Sequence, residues 1–274
     1  MAERLARTGF ARLGVVLDPE QVGAARAVFD EAMARLDQPV GNAWFPTIML
    51  PDDEVRSFVA DSLRVILGPV LSDVLDEDEL DLLELHFSVK PPSPGSELGP
   101  HQDFSVVDER RATSLYVWVA LEDMDEHNGA LHVVPGSHRF ANSVRSQHVP
   151  ATFDEVLPQV HDAAERLDCR AGELVVMVSG VIHFSPPNRS DHVRLAAHGI
   201  VVPVGEPMVF YFADDSTPAG RVECYELDLD TYVRQVRIGR PGDGSVPVEL
   251  VDRPPPMDPA RFEAGLASVR DAVA

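Results

Sequence analysis

The sequence predicts a mainly β fold with flanking α-helices. From residue 83 onward, short β-branched segments alternate with Pro- and Gly-containing turns, the texture of a β-sandwich or barrel. Ahead of them, two stretches carry apolar residues at helical spacing, and a third such pattern closes the chain. The 274 residues, 45% hydrophobic and 25% charged, have an ordinary globular composition and suffice to bury a sizeable core. One domain over 1–274 is expected, with a strand and helices in 1–80, a β-barrel core in 81–215 and a C-terminal extension in 216–274.

Residues 8–16, TGFARLGVV, read as a short strand with Phe10, Leu13 and Val15 or Val16 apolar. Asp18-Pro19 then opens a helix. Asp18 is a good N-cap, Pro19 suits the first helical position, and Gln21 at the third completes a capping-box pattern. Val22, Ala25, Phe29, Ala32, Met33 and Leu36 follow at helical spacing. A second helix is expected from Asp52 or Asp53 to Leu67, with Val55, Phe58, Val59, Leu63 and Ile66 on one side. Gly68-Pro69 should break it, and a shorter helical stretch follows to about Leu75. Residues 83–90, 115–121, 130–134, 173–178, 195–202 and 208–212 read as strands. Residues 240–257 read as an extended connection to a last helix that starts at Asp258-Pro259 and turns Phe262, Leu266 and Val269 inward.

Charge and cysteine content narrow the partners. A net charge of −22 repels polyphosphate and anionic lipid, so neither nucleic acid nor a membrane is expected, and a small-molecule substrate is. No apolar run approaches the ~20 residues that span a bilayer, and the N-terminus shows no secretory pattern. Cys169 and Cys224 make no disulfide framework, which suits a reducing, cytoplasmic location. Lys90 is the single lysine among 23 basic residues, a bias that points to a high-GC bacterial source. Nothing in the sequence sets the oligomeric state.

The candidate chemistry starts from His101-Gln102-Asp103. On an extended strand residues i and i+2 share a side, so His101 and Asp103 can present a nitrogen and an oxygen to one metal ion. Alone the triplet is weak, and a plain His–Asp pairing explains it equally well. A second histidine would complete the two-His, one-carboxylate arrangement that leaves positions open on Fe(II). His183 is the best candidate, at the end of the apolar run 173–181. Its alternative role is a strand-end histidine bonded to the following turn. Arg194 opens the next apolar strand, and an arginine entering a barrel interior calls for an anion, either a bound carboxylate or a structural acidic partner.

Together, GPHQDFS at 99–105, NGALHVVPGSH at 128–138, AGELVVM at 171–177 and HFSPPNRSDHVR at 183–194 give the sequence a specific likeness. It resembles the phytanoyl-CoA dioxygenase (PhyH-like) family of Fe(II)- and 2-oxoglutarate-dependent oxygenases over roughly residues 8–212. The resemblance implies a double-stranded β-helix core, of jelly-roll or cupin-like form. It implies His101, Asp103 and His183 as metal ligands and as the catalytic centre. Arg194 would bind the distal carboxylate of 2-oxoglutarate, with Gln102, Trp118 and Ser185 bordering that cosubstrate and Asn188 shaping the turn. His132 and His138 belong to the same motif, where the loop itself explains them.

The implied cofactors are Fe(II), 2-oxoglutarate as cosubstrate, and O2. The implied reaction is dioxygenase chemistry, most simply hydroxylation of an unactivated C–H bond, with desaturation, cyclisation and epimerisation as other outcomes. Bacterial secondary metabolism is the expected setting. An acyl-CoA, a polyanion, does not suit so acidic a chain, although Arg110 and Arg111 are candidate contacts for a carboxylate or phosphate. The segments 90–100 and 139–168 are long for barrel connections and are expected to border the substrate entrance. Two rivals remain: a metal enzyme that needs no 2-oxoglutarate, and a barrel that only binds a small molecule.

Overall fold

The computed structural model describes residues 1–37, 41–75, 78–142, 144–242 and 245–273. Two antiparallel sheets face one another. The larger contains β1 (Phe10–Val15), β8 (Glu173–Val178), β5 (Leu115–Ala120), β10 (Arg194–Pro203), β3 (Leu80–Lys90) and β2 (Phe45–Pro46), in that order. The smaller contains β4 (Leu98–His101), β9 (His183–Ser185), β6 (Leu131–Val133) and β7 (Glu165–Leu167). From β3 to β10 the chain passes repeatedly from one sheet to the other, with only β6 and β7 adjacent in both sequence and sheet. This is the winding of a double-stranded β-helix, or jelly roll. A third sheet of β11 (Val209–Phe212), β12 (Arg221–Glu226) and β13 (Glu249–Asp252) follows. The helices are α1 (Ala2–Thr8), α2 (Pro19–Ala34), α3 (Asp53–Val74), α4 (Leu157–Ala163), α5 (Leu229–Ile238) and α6 (Pro259–Val273). Among the described residues, no helix is long and apolar enough to cross a membrane.

The large sheet is buried on both faces, which is why its strands read as nearly continuous apolar runs. Val117 and Val119 of β5 face outward into the core formed by α2 and α3, with Phe29, Val59, Leu63 and Leu67. Trp118 and Ala120 face the other way, toward Leu131 and Val133 of the small sheet. That alternation gives the interior its lining, because every second residue of β3, β5 and β10 points between the sheets.

The capping box forms as the residues require. Asp18 Oδ1 accepts from the Gln21 N–H at 2.8 Å, and Gln21 Oε1 accepts from the Asp18 N–H at 2.9 Å. Asp258 likewise caps α6, whose Phe262, Leu266 and Val269 are buried. The expected break at Gly68-Pro69 does not occur, and α3 runs on to Val74. Pro69 lacks only the N–H that would reach the Val65 carbonyl, and Val65 is 79% exposed, on a side where water can take that bond. Other elements depart from the sequence reading. A helix precedes β1, and 139–168 holds α4 and β7. β12 and α5 stand where no element is expected, and β13 interrupts the stretch read as extended. Ser143, Asp243 and Gly244 of those segments lie outside the described residues.

Candidate functional site

β4 and β9 place the first two candidate ligands opposite one another. His101 pairs directly with His183 across the two strands, and their rings lie 4.2 Å apart. Asp103, just past the end of β4, reaches both. Its Oδ1 is 3.9 Å from His101 Nε2 and its Oδ2 is 3.7 Å from His183 Nε2. These separations are too long for hydrogen bonds and short enough for one shared ion. One ligand atom from each of the three lies within 4.8 Å of the others.

The backbone fixes which nitrogens face inward. His101 Nδ1 is 2.9 Å from the Gly99 carbonyl oxygen and His183 Nδ1 is 3.1 Å from that of Val181. A carbonyl only accepts, so each Nδ1 carries the proton and each Nε2 offers a lone pair. Burial pushes both imidazoles down to about 4, for His101 with help from the neighbouring His183, so both are neutral at pH 7 and in the form that binds metal. Asp103 Oδ2 is buried and has no hydrogen-bond partner among the described residues. Two neutral imidazoles and an orphaned carboxylate oxygen are the donor set for a divalent transition metal.

The second part of the site is cationic. Arg194, at the start of β10, is 2% exposed, and its Nη2 donates to the Gly129 carbonyl at 3.1 Å. Its Nε and Nη1 have no partner among the described residues. The guanidinium carbon lies 5.8 Å from the Trp118 ring centroid. Among the described residues no carboxylate forms an ion pair with Arg194, so the structural ion pair that the sequence left open is not formed there. Lys90 sits across from it in the β3–β10 register, fully buried. The Lys90 Nζ donates to the carbonyls of Ser96 and Ser185, and burial together with Arg194 pushes it down to about 6. Ser185, two residues past His183, is buried on the same strand.

The remaining candidates support the frame. Gln102 turns its amide to the main chain, donating to the carbonyls of Ala141 and Gly180. Asn188 ties the turn, donating to Lys90 O at 3.0 Å and His192 O at 2.7 Å. His132 stacks on Phe184, and His138 contacts the Ala6 carbonyl, so neither joins the triad. Arg110 is engaged by Asp108 and Glu249, which removes it as the anion contact the sequence suggested. Arg111 lies 3.8 Å from Glu206. A cavity of about 120 Å³ opens beside His101, bordered by Phe104, Arg145, Val149 and Phe153, so part of 139–168 does border the site.

A model of the phytanoyl-CoA dioxygenase (PhyH) family matches residues 5–196. The chain belongs to this family. Phytanoyl-CoA dioxygenase 1 of Oryza sativa subsp. japonica is 35% identical over 121 residues, 42% of this chain and 42% of the rice protein. The match thus spans well under half the length of that relative. The non-heme alpha ketoglutarate dependent epimerase SnoN from nogalamycin biosynthesis shares the fold at TM-score 0.57 and 19% identity, over 95% of this chain and 94% of that one. SnoN has also been solved with Fe3+, alpha ketoglutarate and nogalamycin RO. EvdO2 from Micromonospora carbonacea var. aurantiaca, complexed with 2-oxoglutarate, gives TM-score 0.53 at 23% identity, over 76% and 91%. At these identities the likeness is one of fold.

Sequence reasoning misses three features of the site. Lys90 stands out only as the chain's single lysine. The pair of Arg145 and Glu109, described below, comes from two loops whose meeting no local pattern announces. His86 and His198 sit in strands that read as core.

Proposed function

We propose that this protein is an Fe(II)- and 2-oxoglutarate-dependent dioxygenase that hydroxylates an unactivated C–H bond of a small molecule. The observation that carries the reading is Arg194, a buried guanidinium with two unpartnered nitrogens in the barrel that also holds the His–Asp–His cluster. A metal enzyme without 2-oxoglutarate has no use for such an arginine, and a mere binding barrel has no use for the triad.

In this reading His101, Asp103 and His183 would hold Fe(II). Bound iron with 2-oxoglutarate supplies oxygen activation, coupled to release of succinate and CO2. The chain's own residues do the rest. Arg194 takes the distal carboxylate of 2-oxoglutarate with its planar fork, over Trp118. Lys90 braces the wall beside Arg194 through the Ser96 and Ser185 carbonyls. Ser185 borders the cosubstrate, and Gln102, expected to border it as well, anchors the strand that carries His101 and Asp103 to the main chain of Ala141 and Gly180. The Nδ1 contacts to Gly99 and Val181 keep both rings from rotating. The buried walls of both sheets exclude water from the reacting groups. Desaturation, cyclisation and epimerisation use the same ligands and differ in where the substrate carbon is held. The likeness to SnoN from nogalamycin biosynthesis and the arginine-rich composition support bacterial secondary metabolism. The two buried free thiols fit the cytoplasm.

The test is succinate formation from 2-oxoglutarate with Fe(II), ascorbate and O2. Slow turnover is expected from the unmutated chain alone and none from His101→Ala or Arg194→Ala. Metal binding that survives loss of all three ligands would overturn the assignment.

A further inference from the structure

Arg194 shares its condition with other side chains of the barrel interior. His86 Nδ1 and His198 Nε2 are buried without a partner, and neither imidazole makes a hydrogen bond among the described residues. Leaving a buried polar group unpaired costs about 1–3 kcal/mol, so each such group calls for a reason.

Their placement gives one. His86 and His198 stand directly opposite each other on β3 and β10, with ring centroids 4.9 Å apart. On those strands they lie four residues from Lys90 and Arg194, so all four share the inner face, with the imidazoles roughly 13 Å along it. The His198 ring is 5.0 Å from that of Tyr116. Phe104, the residue after Asp103, packs against the cluster that holds Tyr116 and Tyr232, which puts this end of the barrel beside the triad. Tyr116 and Tyr232 belong to one aromatic cluster with Phe104 and Phe210. The Tyr232 hydroxyl makes no hydrogen bond among the described residues, and that of Tyr116 has only a long contact of 3.4 Å to Phe104 O.

We propose that His86 and His198, with the Tyr232 hydroxyl, form the recognition surface for the primary substrate, and that this substrate is an uncharged ring compound carrying hydroxyl or carbonyl groups. The proposal rests on the oxygenase reading above and adds the substrate class to it.

The chemistry of the cluster selects that class. Two imidazoles this close do not both carry a proton charge, and burial holds His86 at about 4 and His198 at about 3. A neutral imidazole offers one donor and one acceptor, the complement of a hydroxyl or a carbonyl. No guanidinium or ammonium belongs to this group, so no side chain of the cluster pairs with a carboxylate or phosphate. The aromatic walls take the flat faces of a ring. The interior thus divides along β3 and β10: a cationic end for the dianionic cosubstrate and a neutral end for the substrate.

The experiment uses one ring in three charge states: 2-naphthol, 2-naphthoate and 2-naphthoyl-CoA. Each is titrated by calorimetry into the full chain loaded with Co(II) and 2-oxoglutarate. The naphthol should bind at least ten-fold more tightly than either anion. His86→Leu and His198→Leu should each weaken it about ten-fold, the size of one lost buried hydrogen bond. Both variants should melt no lower than the parent, since each removes a buried nitrogen that has no partner among the described residues. Equal or tighter binding of an anion, no binding of the naphthol, unchanged binding in both variants, or a marked fall in Tm would overturn the proposal. The last of these would mark the imidazoles as structural, held by ordered water only. Failure of the unmutated chain to take up Co(II) or 2-oxoglutarate is seen before any naphthol is added, and would instead overturn the oxygenase reading and this inference with it.

Discussion

The guanidinium of Arg145 holds the main chain of Asp103, its Nε donating to the Asp103 carbonyl oxygen across 2.7 Å. The rest of the fork is engaged by Glu109, with Nη1 2.9 Å from Oε2 and Nη2 against Oε1. Ser179 donates to the same Oε1 at 2.8 Å and accepts from Ser114. The backbones of Ser105 and Arg145 also pair, at 3.0 Å. One buried ion pair therefore joins the loop after β4, the 139–150 segment and the turn that leads from β8 into His183. Both elements that carry the candidate ligands are referenced to it.

Arg145→Ala should for this reason weaken metal binding without touching a ligand. It leaves the half-buried Glu109 carboxylate without its guanidinium partner and the Asp103 carbonyl without its donor. We expect a lower Tm by circular dichroism and a Co(II) affinity reduced at least about ten-fold. Glu109→Gln, which keeps an acceptor, should do less on both counts. An Arg145→Ala chain that binds Co(II) as tightly as the parent would separate the clamp from the site.

Acid should destabilise the metal-free chain within a defined window. Burial lowers His86, His101 and His183 from the usual 6.5 to about 4, and His198 to about 3. Below 6.5 the unfolded chain binds protons that these four rings refuse in the folded chain, so the stability they contribute is complete above that pH and falls as pH drops toward 4. Tm measured from pH 8 to 4.5 should decline most steeply below about 6.5. His198→Leu should make that decline shallower. A level Tm down to pH 5 would mean that these rings protonate in the folded state.

Arg194→Ala should raise the Kd for 2-oxoglutarate by at least about thirty-fold, since losing one partner of a buried charge pair costs about 2–5 kcal/mol. Arg194→Lys should recover part of this, because an ammonium lacks the planar fork. Arg189, exposed on the turn after β9, is the control, and Arg189→Ala should leave the Kd unchanged. Calorimetry on the Co(II)-loaded chain decides it; an effect from Arg189→Ala and none from Arg194→Ala would reverse the assignment.

The legible and illegible parts of the chain differ in the range of the interactions that set them. The cap at Asp18 and the strand at 173–178 are local, each fixed by residues within a turn or a pleat of one another. The meeting of His101 with His183 was reached only by joining several motifs, since 82 positions separate them and the pairing of β4 with β9 aligns them. Pro69 misleads because its cost depends on where the Val65 carbonyl points, which no local pattern encodes. His86 and His198 were invisible for a related reason. Each sits in an apolar run buried on both faces, and which face is lined by polar groups depends on the opposing strands.

Gly129→Ala should disturb cosubstrate binding from the far side of Arg194. Gly129 holds φ at +79°, where an L side chain costs about 1–2 kcal/mol. A Cβ there would stand 2.4 Å from the Pro186 carbonyl oxygen and 3.3 Å from the Lys90 Cδ. Backbone has to move to admit it, and the Gly129 carbonyl is, among the described residues, the one acceptor that holds the Arg194 fork. The turn is braced from its other end by Asn128, which donates to Asp123 O at 2.8 Å, so the shift falls on the Arg194 side. We expect a lower Tm together with a several-fold weaker affinity for 2-oxoglutarate, while Co(II) binding changes little. Gly23→Ala is the matched control: its Cβ meets nothing within 4 Å, it lies within α2, and alanine there should stabilise by about 0.5–1 kcal/mol. If Gly129→Ala lowers Tm but leaves 2-oxoglutarate binding intact, the turn supports the barrel and Arg194 does not depend on it.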